Sequence, residues 1–471
     1  MDSETILKFL TLLVGFYMAW NIGANDVANA MGTSVGSRAL TLRRAIIVAA
    51  VFEFSGAFFV GSHVSETIQK GIISPHLFEH DPMIFVMGMA GALLATGFWL
   101  QTASYFGLPV STTHAIVGAV LGFGAIIAGF HAVQWAEVGQ IVASWVISPL
   151  FSGILSFILF SLIQKKILFT IHPLQAAKRL APILVFFAFG IFSLSILFDG
   201  LSNLHLDLSF HKALWFAMGV GLIAGIIAFF LVRRIPEETY EPLGSFRPQQ
   251  VISLEKALKH LERVKIATSD EAHKKVSNIL KEVRALNIKA KKETHFGEGT
   301  HVYTRVEKIF VFLQIISACL VAFAHGANDV ANAIGPVAAV IDVLHNKTIS
   351  HQSVIPSWLL AMGGIGIVVG LATWGWRVIE TIGRKITELT PTRGFSAEFG
   401  AATTILICSK LGLPISTTHA LVGSVLGVGL ARGLQALNLK ILRDIVLSWV
   451  ITIPICAVLS IIIFKILQLI F

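Results

Sequence analysis

Charge is scarce in this chain. Only 13% of its 471 residues are Asp, Glu, Lys or Arg, against 55% hydrophobic, and the mean hydropathy is strongly positive. A water-soluble domain cannot hide that much apolar surface, so a soluble globular protein is excluded and a polytopic membrane protein remains. Cysteine is scarce as well. Cys319, Cys408 and Cys456 fall in apolar segments without metal-ligand spacing and read as small core residues. Gly-x-x-x-x-Gly-Lys, His-Glu-x-x-His and Cys-x-x-Cys are all missing, so energised pumping and zinc hydrolysis lack their residues and no enzyme is expected. No cleavable signal peptide is evident, because Met1–Lys8 carries Asp2 and Glu4 instead of a basic start. The formal net charge of +9 sits in connecting loops, where it reports orientation and not a nucleic-acid partner.

What is present is apolar runs, and about 20 residues suffice to cross a bilayer as helix. The runs predict an all-α fold of about twelve spans, near 5–22, 44–62, 83–106, 110–130, 138–164, 180–198, 213–232, 309–325, 355–376, 396–411, 414–431 and 444–468. Arg38, Arg43 and Arg44 follow the first span, and Lys165, Lys166, Lys178 and Arg179 follow the fifth. Arg233, Arg234 and a Lys-rich stretch follow the seventh, Arg377, Arg384, Lys385 and Arg393 the ninth, and Arg432, Lys440 and Arg443 the eleventh. The alternate loops hold only Lys70, Lys212 and Lys347. Positive-inside logic then puts both termini outside and 233–308 in the cytoplasm. Within that insert, Leu254, Leu258, Leu261, Ile279, Leu280, Val283 and Leu286 recur at helical spacing, predicting amphipathic helices near 251–267 and 271–290.

Against this apolar background one heptapeptide occurs twice. Gly-Ala-Asn-Asp-Val-Ala-Asn spans Gly23–Asn29 and again Gly326–Asn332. A second pair is Gly107-Leu-Pro-Val-Ser-Thr-Thr-His114 and Gly412-Leu-Pro-Ile-Ser-Thr-Thr-His419, and Ser144-Trp-Val-Ile147 recurs as Ser448-Trp-Val-Ile451. Val64-Ser-Glu-Thr-Ile68 resembles Val378-Ile-Glu-Thr-Ile382. Span parity gives the two heptapeptides opposite directions through the membrane, so the repeats are predicted to be inverted, with a site near the midplane between them. Their expected extents are 1–164 and 309–471, separated by two intervening helices at 165–232 and the cytoplasmic helical insert at 233–308.

Pro109 and Pro414 interrupt the apolar runs, and Ser111 and Ser416 suit the N-cap of the next helix. Free N–H groups at two helix starts, with Thr112, Thr113, Thr417 and Thr418 beside them, make a site for a tetrahedral oxyanion. The flanking spans are either full crossings or re-entrant hairpins, and the short 396–411 run favours re-entry. His114 and His419 read as packed orienters. Asn25, Asp26, Asn29, Asn328, Asp329 and Asn332 offer amides and hard oxygen ligands on one helical face, with Gly23 and Gly326 allowing local unwinding. The asparagines alone also suit helix–helix hydrogen bonding. Glu53 and Glu398 break the symmetry, since Ile367 and Leu93 stand opposite them. Four uncompensated carboxylates at depth cost about 10 kcal/mol on a lenient insertion scale. With lysine and arginine nearly absent from these spans, mobile cations or protons are the expected neutralisers, and an anion enters only beside them.

The paired Gly-Ala-Asn-Asp-Val-Ala-Asn and Pro-x-Ser-Thr-Thr-His motifs around a large loop resemble the inorganic phosphate transporter (PiT) family along nearly the whole chain. The resemblance implies cation-coupled uptake of inorganic phosphate, a twelve-span inverted-repeat fold and a homodimer. It makes Asp26 and Asp329 essential acids at the cation sites and Glu53 and Glu398 two transport-critical glutamates, and the residue reading sets Asn29 and Asn332 beside them as oxygen ligands. It makes Ser111, Thr112, Thr113, Ser416, Thr417 and Thr418 the phosphate-binding segments, with Asn25 and Asn328 supporting. The insert is shorter than in animal relatives. The expectation is a sodium–phosphate symporter of the cell membrane working by alternating access. Proton-coupled transport of a metal–phosphate complex, sulfate as the anion, and an anion channel stay open beside it.

Overall fold

The computed structural model describes residues 3–70, 72–170, 172–199, 208–236, 248–266, 269–293, 296–347, 355–379, 389–433 and 439–471. The second Glu-Thr-Ile copy, beginning at Glu380, lies outside these residues, as do Arg384 and Lys385. Fifteen α-helices lie within them: α1 (Ser3–Gly36), α2 (Leu42–Val60), α3 (Ser62–Lys70), α4 (Pro82–Tyr105), α5 (Thr112–Ile127), α6 (Trp135–Ile163), α7 (Pro173–Asp199), α8 (Phe210–Arg233), α9 (Pro248–Ile266), α10 (Asp270–Glu293), α11 (Phe296–Asn346), α12 (Ser357–Thr373), α13 (Pro391–Lys410), α14 (Thr417–Arg432) and α15 (Leu439–Ile470). No strand forms among the described residues, and Ile73 meets Val133 in a single antiparallel bridge. The chain divides into two compact units, one of Met1–Ser161, Leu184–Gly225 and Val311–Phe471, the other of Leu162–Ile183 and Ile226–Phe310.

Among the described residues seven helices are long and apolar enough to cross a membrane: α1, α4, α6, α7, α8, α11 and α15. Of the other five expected spans, α2 and α13 have 19 and 20 residues but include three charged side chains each, and α5, α12 and α14 are shorter. At 16 residues, α5 and α14 reach about 24 Å, short of a hydrocarbon core of about 30 Å. The heptapeptides also sit differently from the expectation. Each lies inside a continuous helix, of 34 residues for α1 and 51 for α11, and neither helix unwinds there.

The reason lies in packing. A Cβ at Gly23 would collide with the carbonyl oxygen of Ile367 on α12, and one at Gly326 with that of Glu53 on α2. The glycines let two helix backbones touch, as small residues do throughout membrane bundles. Gly56 against Phe323 and Gly370 against Trp20 repeat the device, so α1, α2, α11 and α12 form one glycine-seamed frame. A second layer is knitted the same way across the repeats: Gly118 and Gly122 of α5 lie on Ile453 and Ala457 of α15, and Gly423 and Gly427 of α14 on Pro149 and Gly153 of α6.

The helix breaks come at the Ser-Thr-Thr segments. Gly107 and Gly412 adopt φ of 66° and 67°, and Leu108 N–H bonds Ala103 O at 2.9 Å while Leu413 N–H bonds Cys408 O at 3.0 Å. This is a Schellman stop with glycine in the left-handed position, followed by a proline that keeps the chain extended. Ser111 and Ser416 then start the next helices by accepting from His114 N and His419 N, each at 3.2 Å. In the other unit α9 and α10 pair, with Arg284 bonded to Glu262 at 2.8 Å.

Replacing Gly326 by Val drives a side chain into the Glu53 carbonyl and separates α2 from α11. Overpacking of this kind costs about 1–3 kcal/mol or more, so a marked fall in melting temperature in detergent is expected. Gly139→Ala, where an added carbon meets nothing within 4 Å, is the control and does not lower it.

Candidate functional site

Both Pro-containing tips converge in the buried centre of the first unit. Thr113 donates to Ile415 O at 2.9 Å, and in the mirrored contact Thr418 donates to Val110 O at 3.3 Å. Such reciprocity is the signature of a two-fold relation. Behind the tips His114 lies tilted against Trp145 at 3.8 Å between centroids, His419 stacks on Trp449 at 3.6 Å, and the two imidazoles meet at 4.5 Å. His419 Nδ1 lies 3.0 Å from Trp145 O, while Trp145 donates to Pro414 O at 3.3 Å. The histidines therefore brace the tips.

The asparagines fasten the frame to the tips. Asn25 donates to Ser104 Oγ (3.0 Å) and Leu108 O (3.1 Å) and accepts from Val110 N (3.3 Å), so both ends of its amide hold the tip that carries Pro109. Asn328, with its amide oriented by its neighbours, accepts from Ser409 Oγ at 3.0 Å and donates to Asp329 Oδ1 (3.0 Å) and Ile415 O (3.3 Å). Asn29 reaches across the repeats to Thr418 Oγ1 at 2.8 Å and to Asp26 Oδ1 at 3.2 Å. Asn332 makes the mirrored reach to Thr112 Oγ1 (3.2 Å) and Thr113 Oγ1 (3.3 Å). Thr417 donates to Asp329 Oδ2 at 2.8 Å. Of the six tip hydroxyls, the serines cap helices and Thr113 and Thr418 tie the tips together. Thr112 and Thr417 stand at the helix starts beside the first N–H groups, which have no intrahelical acceptor.

Asp26, Asp329 and Glu53 are buried together, and here the structure supplies a residue that composition did not reveal. Lysine and arginine are absent, but His325 sits at the centre. Its Nε2 lies 3.0 Å from Asp329 Oδ2 and 3.9 Å from Asp26 Oδ2, and its Nδ1 lies 3.4 Å from Glu53 Oε1. Glu53 thus reaches the two aspartates through an imidazole and not through a shared cation alone. The signal was in the copies, since Ile22 precedes the first heptapeptide where His325 precedes the second. Among the described residues, Asp26 Oδ2, Asn29 Oδ1, Asn332 Oδ1 and both Glu53 oxygens accept no hydrogen bond. Buried oxygens of this kind, hard and partly negative, suit a small cation.

Glu398 is separate from this cluster and differently served. Its Oε1 accepts from Thr33 (2.5 Å), Ser34 (2.7 Å) and Gln314 (3.1 Å), and its Oε2 from Ser317 (2.5 Å). All five side chains are fully buried. The equivalent positions of the other repeat hold Leu93, Pro336, Val337, Thr11 and Val14, so this polar cage exists once. The four donors were not singled out beforehand, because serine, threonine and glutamine in an apolar run carry no distinctive spacing.

Known proteins bear on this geometry. A model of the phosphate transporter family matches residues 22–460. The chain is 46% identical over 460 residues to the chloroplastic inorganic phosphate transporter 2-1 of Arabidopsis thaliana, covering 97% of this chain and 71% of that protein. It is 45% identical to a putative phosphate permease of Chlamydia trachomatis over 99% of both chains. A solved structure of the sodium-dependent phosphate transporter superposes with a TM-score of 0.81 at 36% identity, covering 99% of this chain and all of that one.

Ser317→Ala removes the one hydrogen bond recorded on Glu398 Oε2. Leaving a buried acceptor unsatisfied costs about 1–3 kcal/mol, so the melting temperature is expected to drop, and to drop less when Glu398→Gln is already present. Equal drops in both backgrounds would show that the two side chains do not share an energy term.

Proposed function

This chain belongs to the phosphate transporter family, a family of membrane transporters and not of enzymes, and we propose that it is a sodium–phosphate symporter of the cell membrane. The observation that carries the proposal is the meeting of the α5 and α14 N-termini, each with its Ser-Thr-Thr segment, beside buried carboxylates. Two helix starts present converging N–H groups and positive dipole ends to one tetrahedral anion. Thr112 and Thr417, at the first helical positions, complete the cradle.

The carboxylates supply the coupling. Phosphate carries negative charge into a pocket that already holds Asp26, Asp329 and Glu53, and like charges in a poorly screened interior repel strongly. Sodium ions held by Asp26, Asn29, Asp329 and Asn332 remove that repulsion, so anion and cation bind only together. Glu398, with the hydroxyl and amide oxygens of Thr33, Ser34, Ser317 and Gln314 around it, is a second place for a coupling cation. Transport then requires a site that opens alternately to each side. The tip-to-frame links are side-chain hydrogen bonds, which exchange partners far more readily than the glycine-packed backbone seams. The charge asymmetry of the loops places the termini outside and 233–308 in the cytoplasm, and a homodimer completes the proposed assembly.

Two substitutions test the assignment in proteoliposomes loaded to follow labelled phosphate. Asp329→Asn removes a cation ligand and is expected to abolish accumulation under a sodium gradient; retained accumulation sinks that role. Thr417→Val deletes one charge-assisted hydrogen bond at nearly constant volume, and about 1.5 kcal/mol corresponds to a rise in phosphate KM of about tenfold. An unchanged KM removes this segment from the phosphate site. Uptake by the unaltered chain that follows a proton gradient and ignores sodium overturns the choice of coupling ion.

A further inference from the structure

His325 differs in kind from every other group at the centre. It is a nitrogen donor, it is completely buried, and both of its ring nitrogens face carboxylate oxygens. One ligand atom each from Asp26, His325 and Asp329 fall within 4.8 Å of one another. Sodium is a hard cation that prefers oxygen, whereas imidazole beside carboxylates suits borderline divalent ions of the zinc and cobalt type. We propose that Asp26, His325 and Asp329 form a binding site for a divalent transition-metal ion. The proposal rests on the reading of the two aspartates as cation ligands and adds a second class of cation to them.

The distances fit. Tetrahedral zinc has bonds of about 2.0–2.2 Å to nitrogen and carboxylate oxygen, which puts neighbouring ligand atoms about 3.3–3.6 Å apart. The Nε2 distances of 3.0 and 3.9 Å to Asp329 Oδ2 and Asp26 Oδ2 bracket that spacing. Three protein ligands leave a fourth position for water or an anion oxygen, the pattern of an exchangeable rather than a closed site. The two aspartates together balance a double positive charge.

The surroundings of the ring fit equally well. Metal-bound imidazoles nearly always direct their other nitrogen to a carboxylate or carbonyl, which fixes the ring. Glu53 Oε1 stands on the Nδ1 side of His325 at 3.4 Å. The repeat shows that the pair belongs together. Gly326 packs on the Glu53 backbone and Gly23 on that of Ile367, so the two halves align here in three dimensions. In that alignment Ile22 stands for His325 and Ile367 for Glu53. Both departures from symmetry fall on one contact, replacing an apolar pair by a carboxylate–imidazole pair aimed at the aspartates.

Cobalt(II) is the probe, titrated into the purified full-length chain in sodium-free detergent buffer and followed by its visible absorption. One saturable equivalent is expected, with bands of a nitrogen-and-oxygen-ligated, low-coordinate ion, displaced by zinc and weakened by sodium. His325→Gln is expected to lose those bands, and Glu53→Gln to weaken affinity about 10–100-fold while keeping their shape. X-ray absorption of the zinc-loaded unaltered chain needs no variant and is expected to show one imidazole among oxygen ligands. Absence of saturable cobalt binding, equal affinity in a folded His325→Gln chain, or a zinc shell with two imidazoles or none overturns the proposal. Phosphate uptake under a sodium gradient, measured on the same preparation, separates the two readings. Sodium-driven uptake without cobalt binding sinks only the metal site, and cobalt binding without sodium dependence sinks only the symport.

Discussion

A carboxylate buried out of reach of water has to be given either donors or a positive partner, and the centre of this molecule is organised by that demand. It is met in two ways. Glu398 receives four neutral hydrogen bonds from Thr33, Ser34, Gln314 and Ser317. Asp26, Asp329 and Glu53 instead surround a single imidazole and keep several oxygens without donors. The first arrangement spreads its charge over four hydroxyl and amide groups whose oxygens lie close by. The second leaves coordination capacity over, which is what a site for exchangeable ions requires.

Reciprocal contacts set the geometry around these charges. Thr113 on Ile415 and Thr418 on Val110, Asn29 on Thr418 and Asn332 on Thr113, all pair one repeat with the other. Neither repeat can build the cradle alone. The asymmetry is laid over this frame by a few substitutions, with His325 and Glu53 on one contact and Glu398 with its donors on another. An approximately symmetric scaffold therefore holds an asymmetric set of polar side chains.

Much of this was legible beforehand because polar residues in apolar runs are costly and so carry information. The two Asn-Asp motifs, the Ser-Thr-Thr caps and the two helices of the insert all stood out, and α9 and α10 fall within three residues of the predicted limits. Helix length did not, because hydropathy falls at the heptapeptides while the backbone hydrogen-bond ladder of α1 and α11 continues through them. Gly23 and Gly326 were misread for a related reason. A glycine serves unwinding or close approach equally well in sequence, and only the carbonyl of Ile367 or Glu53 lying against it distinguishes them. His325 was missed because a histidine beside a glycine resembles any packed aromatic until its three carboxylates are seen.

The glycine seams carry a consequence for how such a molecule tolerates change. Where backbone touches backbone, even one methyl group is too many, so Gly23, Gly56, Gly326 and Gly370 act as a keel on which substitution is close to forbidden. The hydrogen-bonded tips are spared that rigidity, and polar side chains there can be retuned singly without disturbing the hull. Change at the tips is therefore separable from change at the keel.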